Sequence, residues 1–270
     1  MGRFIQVEGN VGLQRQGKPV AIPVKKNTGA EEKDAVKTEA LSRAQIQFLD
    51  ASTLMIAPLS HITIESYMYD SHKGERGALC QLTKGLVHFI VNPVVQIEKK
   101  EFLIKTKTAT MGIRGTDFYI LLGPDFTDVF VKSGRVAAIS HPQPVPQPDS
   151  RPQDSPKISK LLKRTAIQAA MNNRVVIRSM EASRLMAGHP PSPIVRLQAR
   201  HFQVLEGLMH MGLPPKFGDS SNPGQLLENI SQSDLSSPIP PPPPAPPSNL
   251  GPSFPGNGIG GGSGIASPFS

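Results

Sequence analysis

Apolar residues in the first 141 positions alternate with polar ones in short runs, and each run closes on turn residues. Ala44, Ile46 and Phe48 alternate with Arg43, Gln45 and Gln47. Asp50-Ala51-Ser52 then supplies a turn, and Leu54, Ile56, Ile62 and Ile64 resume the rhythm. A period of two puts every second side chain on one face, the mark of a strand with one buried side. Further strands are expected at Leu86 to Val91, Glu101 to Thr106, Asp117 to Leu122, Asp128 to Lys132 and Val136 to Ile139. Short strands at close spacing, with no long helical pattern between them, predict a mainly β fold. An antiparallel sandwich or a short β-solenoid satisfies that pattern better than an α/β fold.

Proline bounds this region. Six prolines between Pro142 and Pro156 read as a semi-rigid linker over residues 142–156. Beyond it the apolar period becomes helical. Ile158, Leu161, Leu162, Ala166, Ala169 and Ala170 recur on one side, with Lys157, Lys160, Lys163 and Arg164 largely on the other. A second amphipathic helix is expected from Pro193 to about Met211, packing through Val195, Gln198, Phe202, Leu205 and Met209. Residues 157–212 thus read as a basic helical segment. From Leu213 onward 14 Pro and 9 Gly leave too little apolar content to offset ordering entropy, so residues 213–270 are expected to be a disordered Pro/Gly-rich tail.

Charge follows the same division. Residues 1–141 carry 18 Lys/Arg against 14 Asp/Glu, as an ordinary folded domain does, whereas residues 156–212 carry 9 against 2. The lone Cys80 excludes an intrachain disulfide and every multi-cysteine metal or redox motif. No apolar run approaches the ~18 residues that read as a membrane-spanning helix. No basic and apolar leader precedes the first strand. The expected location is therefore periplasmic or secreted if an upstream signal is missing from this chain, and cytoplasmic otherwise.

The most distinctive stretch is Thr108-Ala109-Thr110-Met111-Gly112-Ile113-Arg114-Gly115-Thr116-Asp117-Phe118. It resembles the Arg-Gly-Thr core of FecR-domain proteins, and four weaker matches flank it in the family's order. These are Val7-Glu8-Gly9-Asn10-Val11, Gln47-Phe48-Leu49-Asp50-Ala51-Ser52-Thr53-Leu54, Leu82-Thr83-Lys84-Gly85-Leu86-Val87 and Val131-Lys132-Ser133-Gly134-Arg135-Val136. Ala51 stands where the family pattern has Gly. The resemblance covers about residues 4 to 141 and implies a non-catalytic, β-rich envelope module for signalling, sensing or scaffolding through protein contacts. Nothing in the chain resembles the family's anti-sigma helical region or its transmembrane helix.

The resemblance marks Gly112, Arg114, Gly115, Thr116, Asp117, Asp50, Ser52, Gly85 and Gly134 as structural motif residues, and the core motif reads as structural from its own residues too. Gly112 and Gly115 let the chain turn on either side of Ile113-Arg114. Arg114, held at the bend, is expected to brace Asp50 or Asp117 in a bidentate pair. The alternative is that it reads an anionic group on a partner. Seven His residues form no HExxH or other metal-ligand pattern, no GxSxG is present, and the Gly258 to Gly262 run neither follows a strand nor opens a helix. No catalytic constellation and no cofactor are therefore expected. A second function class remains: a cytosolic protein whose Lys157, Lys160, Lys163 and Arg164 hold nucleic acid or anionic lipid. Poor aromatic interleaving disfavours nucleic acid.

Overall fold

The apolar alternation is realised as strands. The computed structural model describes residues 1–70, 72–93, 99–142, 173–213 and 222–233, all within the unit Met1–Ser236. In β6 (Arg43–Phe48) Ala44, Ile46 and Phe48 are buried and the residues between them are not. After a turn, β7 (Thr53–Ile56) repeats the pattern with Leu54 and Ile56. Ala51 in that turn has φ of 62°, a left-handed conformation that costs a non-glycine residue about 1–2 kcal/mol.

Strand pairing builds two sheets. The first runs β4 (Gly29–Ala30), β1 (Gly2–Glu8), β6, β7, β9 (Glu75–Ile90), β12 (Asp117–Leu122), β13 (Phe126–Ser133), β16 (Glu181–Met186) and β17 (Val195–Arg196). The second runs β3 (Ile22–Pro23), β2 (Val11–Gln14), β5 (Ala35–Thr38), β8 (His61–Asp70), β9 again, β10 (Lys99–Lys105), β11 (Ala109–Ile113), β14 (Arg135–Ser140) and β15 (Arg174–Arg178). Every pairing is antiparallel except β9 with β10. The long β9 serves both sheets, passing from β8 and β10 to β7 and β12 near Gly85. A Cβ at Gly85 would stand 2.2 Å from Ser60 Oγ, so the close approach at this crossing requires glycine.

Inward residues of both sheets meet in one core, where Phe89 of the first sheet stacks on Phe118 and lies edge-on to Phe102 of the second. Two mainly antiparallel sheets over a shared core make a sandwich. The outer face of the first sheet is apolar as well. Leu86, Tyr119, Leu121, Phe130 and Ala182 are covered by α1 (Ala199–Met211) and α2 (Pro223–Ser233), which contribute Phe202, Leu205, Leu226, Leu227 and Ile230. Glu228 of α2 accepts hydrogen bonds from Arg200 and His201 of α1, tying the two helices together.

Three expectations change. The helix predicted from Pro193 begins at Ala199, because Val195 and Arg196 pair with Ala182 and Glu181 as a strand. Its stripe of Phe202, Leu205 and Met209 is buried as expected. The segment 157–212 is not helical throughout, since Arg174–Arg178 and Glu181–Met186 join the sheets. The β-branched run Val175-Val176-Ile177 favours that outcome. The linker expected over residues 142–156 lies, apart from its first residue, outside the described residues. Finally, α2 lies in the region expected to be disordered. Leu226, Leu227 and Ile230 give it an apolar face to bury. The predicted helix at 158–170, and most of the tail, fall outside the described residues. No helix among the described residues is long and apolar enough to cross a membrane.

Candidate functional site

The Arg-Gly-Thr bend joins β11 to β12 at one end of the sandwich, where it meets the β13–β14 turn. Gly134 in that turn has φ of +89°, and a Cβ on it would lie 2.6 Å from the Gly115 carbonyl oxygen. Both the positive φ and the close approach exclude a side chain. The Thr116 hydroxyl donates to the Arg135 carbonyl at 2.9 Å. A third segment, the β15–β16 turn, is pinned to the same place. The Gly134 N–H donates to Ser179 Oγ at 2.9 Å, and the Ser179 hydroxyl is 3.2 Å from the Gly134 carbonyl. Met180 follows with φ of 61°. Its N–H reaches the Val131 carbonyl and its own carbonyl accepts from Leu197, each at 2.8 Å. Non-glycine residues held this way indicate surroundings that fix the backbone.

These turns gather arginines. Arg135 lies directly opposite Arg178 in the β14–β15 register, and Ile113 lies opposite Val136, which carries Arg114 to the same level on the next strand. Arg114, Arg135, Arg178 and Arg196 line a cavity of about 710 Å³ together with Ser179, Met180 and Glu181. An adjoining cavity of about 500 Å³ adds Arg174 beside Leu103, Ala137 and Val176. All five arginines are exposed. None has a carboxylate within ion-pair distance among the described residues. The Glu181 carboxylate accepts the backbone N–H of Arg178 at 2.8 Å. Like charges directly opposite on paired strands cost about 0.2–1 kcal/mol, so this corner is electrostatically unfavourable for the fold itself. Five planar guanidinium groups suit bidentate recognition of carboxylate or phosphate.

Arg114 therefore braces neither expected partner. Asp117 pairs with His88 Nε2 at 2.5 Å, and His88 stacks on Tyr119. Asp50 belongs to a buried hub, where Arg76 Nη1 donates to its Oδ2 at 3.0 Å and to the Asn92 carbonyl at 2.7 Å. The Ser52 hydroxyl donates to Asp50 Oδ2 at 2.7 Å and the Tyr67 hydroxyl to Oδ1 at 3.0 Å. Burial, reinforced by the neighbouring Asp50 charge, raises the Tyr67 pKa and keeps it a donor. The Asn92 N–H donates to Ser52 Oγ at 3.0 Å, and the Val91 N–H to the Thr116 carbonyl at 2.9 Å. Pro93 packs on Gly115. Residues 91–93 therefore connect the buried hub to the arginine corner.

Of the residues singled out in the sequence, Gly112, Arg114, Gly115, Thr116 and Gly134 come together at the corner. Asp50 and Ser52 form the hub, Gly85 sits at the β9 crossing, and Asp117 sits on β12. Lys157, Lys160, Lys163 and Arg164 lie outside the described residues. Sequence reading missed Arg76, and it took in Arg174, Arg178 and Arg196 only as part of the basic segment, without singling them out. Arg174 and Arg178 flank Val175-Val176-Ile177 at a spacing of four, which places both on one face of a strand, and that was the available signal. Among the described residues no group of three or more His, Cys, Asp or Glu could hold a metal ion.

The family model described as FecR protein matches residues 34–137, a span that includes Arg114 and Arg135. Among solved structures, two crystal structures of a "putative anti-sigma factor" from Parabacteroides distasonis ATCC 8503 are similar at 13% identity, with TM-scores of 0.40 and 0.41. The similarity covers 63% of this chain and 63% and 62% of theirs, so the chain spans somewhat under two thirds of their length. No curated protein matches the chain.

Proposed function

Starting from a chain whose residues 34–137 form a FecR domain, we propose that it is a non-catalytic envelope module that acts in signalling or sensing by holding a protein partner at its arginine corner. The domain supports a regulatory role. The observation that carries the reading to a place on the molecule is the set of exposed arginines without carboxylate partners among the described residues, two of which sit directly opposite each other across a strand pair. Groups that serve the fold are ordinarily paired, and unpaired groups that oppose it point to a ligand outside it. Arg114 and Arg135 come from the matched span, and Arg178 and Arg196 from strands beyond it. The corner therefore draws on both the matched span and the strands that follow it.

The test is genetic and runs in the native host. Deleting the gene is expected to change the levels of a defined set of transcripts, and the wild-type chain expressed from its own locus is expected to restore them. Arg114→Glu and Arg135→Glu proteins that accumulate normally are expected not to. A deletion without transcriptional effect overturns the signalling reading, and full rescue by both variants removes the corner from it. Fractionation of the tagged wild-type protein, with its intact mass, tests the location. Periplasmic recovery agrees with an envelope module, and cytoplasmic recovery removes the envelope from the proposal.

A further inference from the structure

We infer that the partner enters as an extended acidic segment, added as a strand along the outer edge of β15 and clamped by the arginines of the corner. This rests on the reading of the corner as the partner site and specifies the chemistry it selects. β15 pairs with β14 over five residues, from Arg135 opposite Arg178 to Ile139 opposite Arg174. Among the described residues no strand pairs its other side. An antiparallel edge strand presents N–H and C=O groups on alternate residues; the Glu181 carboxylate already holds the Arg178 N–H, and an added peptide strand satisfies the groups that remain. At roughly 3.4 Å per residue, this edge accommodates a strand of about five residues.

The side chains then choose the occupant. Arg174, Val176 and Arg178 share one face at steps of two. An incoming strand about 4.8 Å away meets cation, apolar group and cation in turn. Acidic residues opposite Arg174 and Arg178, with an apolar residue between them, match that face. Opposite charges across strands stabilise where like charges repel. Arg114, Arg135 and Arg196 lie close enough to line the same pair of cavities and extend the positive field over the segment.

The same arrangement rejects other occupants. A second copy of this edge would set arginine against arginine. The chain's own Lys157 to Arg164 stretch has the wrong sign. Nucleic acid has no amide ladder to offer the edge, and no exposed aromatic side chain lines the cavities for its bases to stack on. A vesicle surface offers phosphate without a strand. Charged edges usually serve to prevent strand addition, and here they do so for every strand that is not acidic.

The experiment uses the purified full chain and a fluorescent heptapeptide, the Glu/Val peptide, with Glu at its second and sixth positions, Val at the fourth and Thr at the others, so that Glu, Val and Glu share one face of the strand. Three probes are compared with it: the Gln/Val analogue, the Glu/Val peptide with alternate amides N-methylated, and an oligothymidylate of equal charge. Vesicles containing phosphatidylglycerol form a fourth. The Glu/Val peptide is expected to bind at least tenfold more tightly than each of the others. Hydrogen exchange at residues 174–178 should slow at least tenfold when it binds. The Arg174→Glu/Arg178→Glu protein, checked for an unchanged melting curve and circular dichroism, should lose at least tenfold in affinity. Arg174→Gln/Arg178→Gln serves as a second variant if the first misfolds. Absence of peptide binding overturns the inference. So does equal binding of the N-methylated or Gln peptide, or unchanged exchange along β15. Oligothymidylate or vesicles binding as tightly as the peptide would replace it with a general anion site. In each of these cases the transcript test above still stands or falls on its own.

Discussion

The carboxylate of Asp50 is closed off from solvent, and its charge is held by Arg76, Ser52 and Tyr67. Removing one member of a buried ion pair leaves the other uncompensated, at about 3–5 kcal/mol. Arg76→Met should cost that amount in denaturant unfolding, whereas Arg114→Met, at an exposed side chain with no ion-pair partner among the described residues, should change stability by less than about 0.5 kcal/mol. Equal losses would mean that Arg114 has a structural partner after all. Asp128 is another buried acid, bidentate to Arg184 at 2.8 and 2.7 Å, with that guanidinium 3.7 Å from the Phe126 ring centroid. Burial raises the Asp128 carboxyl to about 6, with Arg184 countering part of the rise. Between about pH 4 and pH 6 the folded state then binds more proton than the unfolded chain, so this group's contribution to stability falls as pH rises. The size is on the order of 3 kcal/mol for a two-unit difference. Denaturant midpoints across that range should show this fall in the wild type and lack it in Asp128→Asn, and parallel profiles would refute the burial argument. Neither pairing was legible in the sequence. Asp50 and Arg76 are 26 residues apart and Asp128 and Arg184 are 56 apart, and no local pattern joins residues across such distances.

Local pattern served well where burial on one face decides the element. The strands expected at Asp117 to Leu122 and Asp128 to Lys132 are found within one to two residues of their expected ends, because their apolar residues fill a core that the fold must make. It failed where composition outweighed a short signal. Arg174-Val175-Val176-Ile177-Arg178 is a β-branched run, but the charges at its ends resemble the basic helical pattern upstream. Pairing with β14 decides its state. The second helix was hidden by the prolines and glycines around it. Leu226, Leu227 and Ile230 are nonetheless buried against the first sheet and α1. Leu227 is 0% exposed, so Leu227→Ala should cost about 2–5 kcal/mol through lost burial and the cavity left behind. Calorimetry or denaturant unfolding would measure it. A change below about 0.5 kcal/mol would restore the reading of this region as lying outside the fold.

At the scale of the molecule the two sheets have opposite exteriors. The first turns an apolar outer face to α1 and α2, while the second leaves an outer face and one end lined by arginines. The excess of basic residues after position 156 was visible in the sequence, but its place was not. Arg174, Arg178 and Arg196 of that excess meet Arg114 and Arg135 of the nearly balanced first segment only once the strands pair. An assembly of this kind makes an opposite prediction for stability and for function. Arg135→Glu places a carboxylate opposite Arg178 and beside Arg114, turning a repulsive cross-strand pair into an attractive one. The variant should melt about 1–3 °C higher, the shift expected from a gain of up to about 1 kcal/mol in a chain of this size. The same protein should fail to restore the transcripts lost on deletion. Were the arginines serving the fold, the melting temperature would fall and any loss of response would follow from instability. A variant that is more stable and yet inactive separates the two, because a folding role cannot produce a gain in one and a loss in the other.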